Sequence, residues 1–421
     1  MKNKLLILAA VAGLLAAAAK PSQAQDVLGE SVYQLAALWS DATSGLLTPP
    51  VGPCYAEDTA CADGCCGECC SCCRRNDIFG SVEFLMWWAK GTPLPPLVTT
   101  SDPGTAQVDA GVLGLDSTTI LFGNQYGGKE IQAGGRATLG IWLDPDHNVA
   151  AGGRFFGLGG NSTRFTAASD GSDILARPFF NAFLNTGDAL LIGFPNLVAG
   201  GISATSQTKN IFGVDAFMEI MMRRECRHRI DLVAGYQFMR LDDSLEIVSN
   251  HSVIQAGPGF GTSFNIFDGF RAYNEFHGGQ FGLRARMSRG CWSVDALGVL
   301  AAGGMRQQVT IDGQQTITLG GISATNPGGL LAQPSNIGTD ERTKFTYIPQ
   351  VTVNLKYHVN QCLNFHVGYN LIWLSDVALS GDQIDLRVNL NQPLPPALPP
   401  FAFRDRDYWL QGLNFGASWD F

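Results

Sequence analysis

Once its first 24 residues are set aside, the chain has no apolar run approaching the ~18 uninterrupted residues that a spanning helix needs. It is also poor in charge, with Asp, Glu, Lys and Arg making up 15% of 421 residues. Basic residues are in deficit: beyond Lys2, Lys4 and Lys20 there are 25 against 37 acidic ones, a net charge of −12. That balance argues against nucleic acid as a partner. No G-x-S-x-G, H-E-x-x-H or P-loop pattern occurs, so no catalytic residues, cofactor or metal centre are expected. Without a spanning helix, an exported chain can cross a membrane only as a closed barrel.

Export is what the N-terminus indicates. Residues 1–24 read as a cleaved signal peptide: Lys2 and Lys4 form the charged start, 5–19 the apolar run, and Ser22-Gln23-Ala24 an A-x-A-like cleavage site. Residues 25–75 form a Cys-rich periplasmic extension holding Cys54, Cys61, Cys65, Cys66, Cys69, Cys70, Cys72 and Cys73. In an oxidising compartment these read as disulfide candidates. Adjacent pairs such as Cys65/Cys66 favour bridges between segments or between molecules, with other Cys-rich envelope proteins as candidate partners. The spacing Cys66-x-x-Cys69 would also suit a thiolate metal site, but no His lies nearby.

From residue 76 to 421 the pattern is that of amphipathic strands. In 408–421, Leu413, Phe415, Ala417, Trp419 and Phe421 alternate with Gly412, Asn414, Gly416, Ser418 and Asp420. Successive strand side chains face opposite ways, so one face is apolar and aromatic and the other small and polar. The same alternation recurs over 78–90, 135–143, 148–158, 211–223, 230–239, 280–287, 292–300, 345–358 and 363–373, which makes ten strands, with 12 as the alternative. Connections alternate too. Turns near 144–147, 224–228, 288–291 and 359–362 are short, whereas 91–129, 159–209, 242–274, 303–342 and 375–405 are long and rich in Gly, Pro, Thr and Asn. Short periplasmic turns and long external loops mark an all-β, antiparallel, up-and-down outer-membrane barrel.

In that frame Glu83, Arg136, Arg154, Asp215, Glu219, Arg223, Asp231, Arg284, Arg286, Asp295 and Lys356 face the lumen, five acids against six bases. A ten-strand barrel is narrow, so these charges are expected to pair into a structural network first and to filter ions second. Of the six histidines only His366 is placed on the lumen face. Trp87, Trp88, Trp373, Trp409 and Trp419 are expected in the interfacial belts. Phe415, Trp419 and Phe421 form a C-terminal aromatic signal for the barrel-assembly machinery, which joins membrane lipid as an expected partner. Cys226, Cys291 and Cys362 fall at short turns, where they are candidates to pair with the extension.

Three blocks carry a family resemblance. Residues 83–91, EFLMWWAKG, run into 93–100, PLPPLVTT; 134–145, GGRATLGIWLDP, precede 155–158, FFGL; and 409–416, WLQGLNFG, lie near the end. Together they resemble the beta-barrel porin-7 family of planctomycete-type outer-membrane proteins over about 76–421. The resemblance implies an outer-membrane barrel acting as a passive channel for small polar solutes, and supplies no catalytic residues. The alternative expectation is a plugged structural envelope protein, cross-linked through its cysteines.

Overall fold

The computed structural model describes residues 77–225, 227–359 and 362–420. The segments expected to be a signal peptide and a Cys-rich extension (1–75, with its eight cysteines), together with Cys226 and Phe421, lie outside the described residues.

Ten strands close into a ring: β1 (Ile78–Ala89), β2 (Gln132–Trp142), β3 (Val149–Leu158), β4 (Val198–Glu225), β5 (His228–Val253), β6 (Ser263–Arg289), β7 (Trp292–Leu319), β8 (Gly338–His358), β9 (Leu363–Ala378) and β10 (Asp405–Asp420). Each pairs antiparallel with the next, and β10 returns to β1. Closure pairs every backbone ladder within the band, which a hydrocarbon environment demands. The outward band is aliphatic and aromatic. Val82, Phe84, Leu139, Val214, Phe281, Phe365 and Phe415 are all exposed large hydrophobics, as lipid contact requires. Along β5 it runs from Ile230 to Phe238, about 21 Å at a strand rise of ~3.4 Å and a tilt of ~40°. Above it the outer face changes to ion pairs: Arg240 with Asp242 and Glu275, and Arg306 with Glu275 and Glu341. Here the lipid band ends.

Four strands do not stop there. At 26 to 28 residues, β4 to β7 rise well above the band as a wall. Much of 159–209, 242–274 and 303–342, expected as loops, is therefore strand. The alternation persists, but outward positions carry Ser203, Thr205 and Gln207 in place of aliphatic residues. Inward Ile202, Ala204, Leu245, Ile247, Phe270, Val309 and Ile311 still make an apolar face. On β4 the phase shifts at a bulge beside Lys209 and Asn210, whose φ of 53° lies in the left-handed region that Asn tolerates. Inward residues are even-numbered above it and odd-numbered below.

A second, five-stranded sheet packs against the wall's inner face, built from Val98–Ser101, Thr118–Phe122, Leu175–Asn181, Thr186–Gly193 and Arg387–Val388. Buried polar groups fasten this sheet, through Arg177, and the neighbouring inserted segments around Thr92 and Ser380. Asp268 accepts from Arg177 Nη2 at 2.6 Å and from the backbone N–H groups of Leu331 and Ala332 at 2.8 Å each. Asn274 bonds Ala378 in both directions, at 2.9 Å. Asp243 accepts from Thr92 Oγ1 at 2.7 Å, Thr208 Oγ1 at 3.2 Å, and Ser380 N and Oγ at 2.7 and 2.5 Å. The turn Ser380–Gln383 is seated tightly: a Cβ on Gly381 would meet Pro93 O at 1.9 Å, so only glycine fits that approach.

Candidate functional site in the barrel lumen

The inward positions of the spanning strands stack in layers. Nearest the short turns is a layer of charge. Glu219 accepts from Arg284 and, at 2.8 Å, from Arg286 Nη2. Asp231 accepts from Arg229 Nε at 2.7 Å, and Asp295 from Lys356 Nζ at 2.9 Å. Glu83 pairs with Arg136, accepts from Asn414 Nδ2 at 2.9 Å, and lies 3.7 Å from His366 Nε2. Arg154 and Asp215 are 3.7 Å apart. Burying isolated charges costs several kcal/mol each, so a narrow lumen tolerates them only when matched. Some partners are set by cross-strand register, Glu83 lying directly opposite Arg136 and Arg286 opposite Asp295, while Arg284 and Arg286 reach Glu219 across the intervening β5.

Above the charges lies an apolar layer that includes Leu85, Trp87, Phe156, Ile211, Met239, Ile348, Ile372 and Leu410. The plug sheet and its core close the outer end. Side chains and inserted segments thus follow one another from the charge layer to the wall.

Two expected positions are corrected. Trp87 is not an interfacial residue: it is 0% exposed, faces inward, and packs on Phe156 with ring centroids 5.4 Å apart. Adjacent strand residues cannot share a face, and Val82, Phe84, Met86 and Trp88 take the outward one. Arg223 is not a lumen residue either. It lies beyond a register shift at Met221, its side chain is 67% exposed, and it pairs with Glu225 at 2.5 Å. The outward tryptophans Trp88, Trp373 and Trp409 sit just below the ion-pair row, with Trp88 against Tyr369 and Trp373 directly opposite Trp409. Trp419 lies at the opposite end of β10, opposite Leu363. Phe415 faces outward. Brominated lipid is expected to quench single-tryptophan variants carrying Trp88, Trp373 or Trp409 strongly and one carrying Trp87 several-fold less. Equal quenching of Trp87 would reverse its inward assignment.

Further residues line the lumen beside the expected charges. Arg229, Asn354, Asn370, Asn414 and Gln237 face inward beside the charged residues. Gln237, Asn354, Asn370 and Asn414 lie on the polar face that the strand alternation turns inward, whereas Arg229 lies just before the expected strand 230–239 and has no such signal. His277 faces outward and bonds Tyr236 Oη through Nδ1 at 2.6 Å. Cys291 and Cys362 lie at the short-turn end, beside the β6–β7 and β8–β9 turns. Among the described residues, no group of three or more His, Cys, Asp or Glu residues is arranged to hold a metal ion.

Solved outer-membrane proteins give distant likenesses to this chain. The outer membrane protease OmpT from Escherichia coli aligns over 82% of this chain and 97% of its own, at 9% identity and a TM-score of 0.37. A Pseudomonas aeruginosa FadL homologue aligns over 82% and 90%, at 7% identity and a TM-score of 0.22. An anion-selective porin from Comamonas acidovorans aligns over 82% and 98%, at 9% identity and a TM-score of 0.13. These likenesses are too slight to carry function. No curated protein matches the chain. The family model described as "Putative beta barrel porin-7" matches residues 79–421, so the chain belongs to that family of outer-membrane β-barrels.

Proposed function

We propose that the protein is a sealed outer-membrane barrel, a structural and surface element of the envelope rather than an open pore. One observation carries the reading: charge layer, apolar layer and plug occupy the lumen in succession, with Glu219, Trp87 and Phe270 all fully buried within them. A ten-strand barrel is only slightly wider than an eight-strand one, whose interior is just filled by side chains. The tall wall then acts as a surface for contacts outside the cell. Cross-linking through the Cys54–Cys73 segment would tether the barrel below, and a reducible ladder on non-reducing gels is the expected sign of it. The second reading, a passive channel for small polar solutes, is favoured by the family's description as a porin.

Single-channel recording separates the two. A heat-modifiable, inserted protein is expected to remain silent in a planar bilayer, with and without reductant. Discrete, reproducible openings would overturn the sealed reading in favour of the channel.

A further inference from the structure

Three inward residues stand side by side on adjacent strands: Arg154 on β3 is paired in register with Asp215 on β4, and Asp215 with Gln237 on β5. Each has bonding capacity left over. Among the described residues Arg154 donates no hydrogen bond; its Nη1 stays 3.7 Å from Asp215 Oδ2, beyond hydrogen-bond reach. Its side chain nevertheless keeps 12% of its surface accessible, and because it faces inward that surface opens on the lumen. Asp215 Oδ1 is buried without a partner, as are both amide atoms of Gln237. Buried polar groups are normally paired, and leaving one unpaired costs about 1–3 kcal/mol. Gln132 and His366 also carry buried unpartnered atoms, but among the described residues Asp215 is the one carboxylate with a buried oxygen left unpartnered, and here it stands between two further groups with bonding capacity to spare. Aromatic rings bound it. Phe217 lies under the guanidinium, 5.5 Å from Cζ, and Phe156, two residues along β3, packs on Trp87.

We propose that Arg154, Asp215 and Gln237 form a binding site for a small zwitterion of the α-amino-acid type. A carboxylate would fill the Arg154 donors, an ammonium group would reach Asp215 Oδ1, and the Gln237 amide can bond to either. A lone anion would face the Asp215 carboxylate, and a lone cation the guanidinium. A zwitterion satisfies both and leaves the charge balance of the layer unchanged. The site is a property of the lumen and does not require conduction: a sealed barrel would retain such a solute, and a channel would pass it.

Radiolabelled glycine, acetate and methylammonium would each be present while the full chain is refolded into detergent, followed by equilibrium dialysis. Glycine is expected to be retained saturably, about one per chain, and in preference to the other two. Arg154→Gln should weaken retention at least tenfold. Gln237→Leu, which leaves every ion pair in place and tests the site should the arginine variant misfold, should weaken it several-fold. Heat-modifiability on gels identifies folded material. Acetate retained as well as glycine, no retention of any probe, or retention unchanged in both variants would overturn the proposal. A silent bilayer with retained glycine upholds both readings, openings with retained glycine sink only the seal, and silence without retention sinks only the site.

Discussion

Asp243→Ala is expected to release the inserted segments 92–94 and 379–384 from the wall while leaving the lipid-facing band intact. Four hydrogen bonds from three separate segments converge on this one buried carboxylate, tying Thr92, Thr208 and Ser380 together. Bonds to a charged acceptor contribute about 1.5–3 kcal/mol each, offset by the cost of burying the charge. Alanine removes the acceptor and leaves the Ser380 N–H and three hydroxyls without their partner. A net loss of about 3 kcal/mol follows, or roughly a hundredfold rise in local opening. Hydrogen exchange should show that rise in 92–94 and 379–384, with protection of 211–220 and 230–238 unchanged. Asp243→Asn keeps one acceptor oxygen and should lose about a third as much. Unchanged exchange in 379–384 would show that apolar packing alone holds these segments.

Acid is expected to loosen the same outer half. His251 lies high on the wall, buried, stacked on Phe264 at 4.8 Å, with Nδ1 unpartnered. Burial, and secondly the Arg177 charge, lower its pKa from the usual 6.5 to about 4. A histidine held neutral on folding contributes stability that is fully present above pH 6.5, drains as pH falls, and is gone near pH 4. That difference corresponds to about 3 kcal/mol. Protection of 175–181 and 247–253 should therefore fall between pH 6.5 and 4, and His251→Phe should flatten the profile. An identical profile in that variant would assign the acid sensitivity to the carboxylates instead.

Much of the spanning band was legible because lipid imposes a simple code. Alternation with aliphatic and aromatic residues outward, as in Phe281, Leu283 and Ala285 against Gln280, Arg284 and Arg286, is hard to reconcile with water on the outer face. The wall was not legible, because there the outward residues are Ser, Thr and Gln. Alternation between small apolar and hydroxyl residues, as in Ile202-Ser203-Ala204-Thr205, looks like a polar loop once lipid no longer sharpens the contrast. Trp87 was misplaced by treating the Trp87-Trp88 pair as a unit, although strand geometry sends neighbours to opposite faces. Arg154 and Asp215 could be placed on one wall by phase alone. Their juxtaposition with Gln237 depends on register across three strands, which a bulge at Asn210 helps to set and which periodicity does not report.

The bulge has a consequence for how this wall can change length. With odd-numbered residues facing in below Lys209 and even-numbered above, the two halves of β4 carry independent phases joined at one hinge point. Deleting Asn210 would only erase the bulge and merge the two phases into one regular alternation, with Ile202 and Ala204 still facing the plug, whereas deleting one residue between the bulge and Val198 would turn every residue from the cut to Val198 inside out. Above the hinge, however, a hairpin can gain or lose two residues on each arm and keep every face. The height of the wall is thus quantised in steps of about 5 Å once strand tilt is allowed for. Related chains are expected to differ in stature by such steps while their membrane bands stay the same.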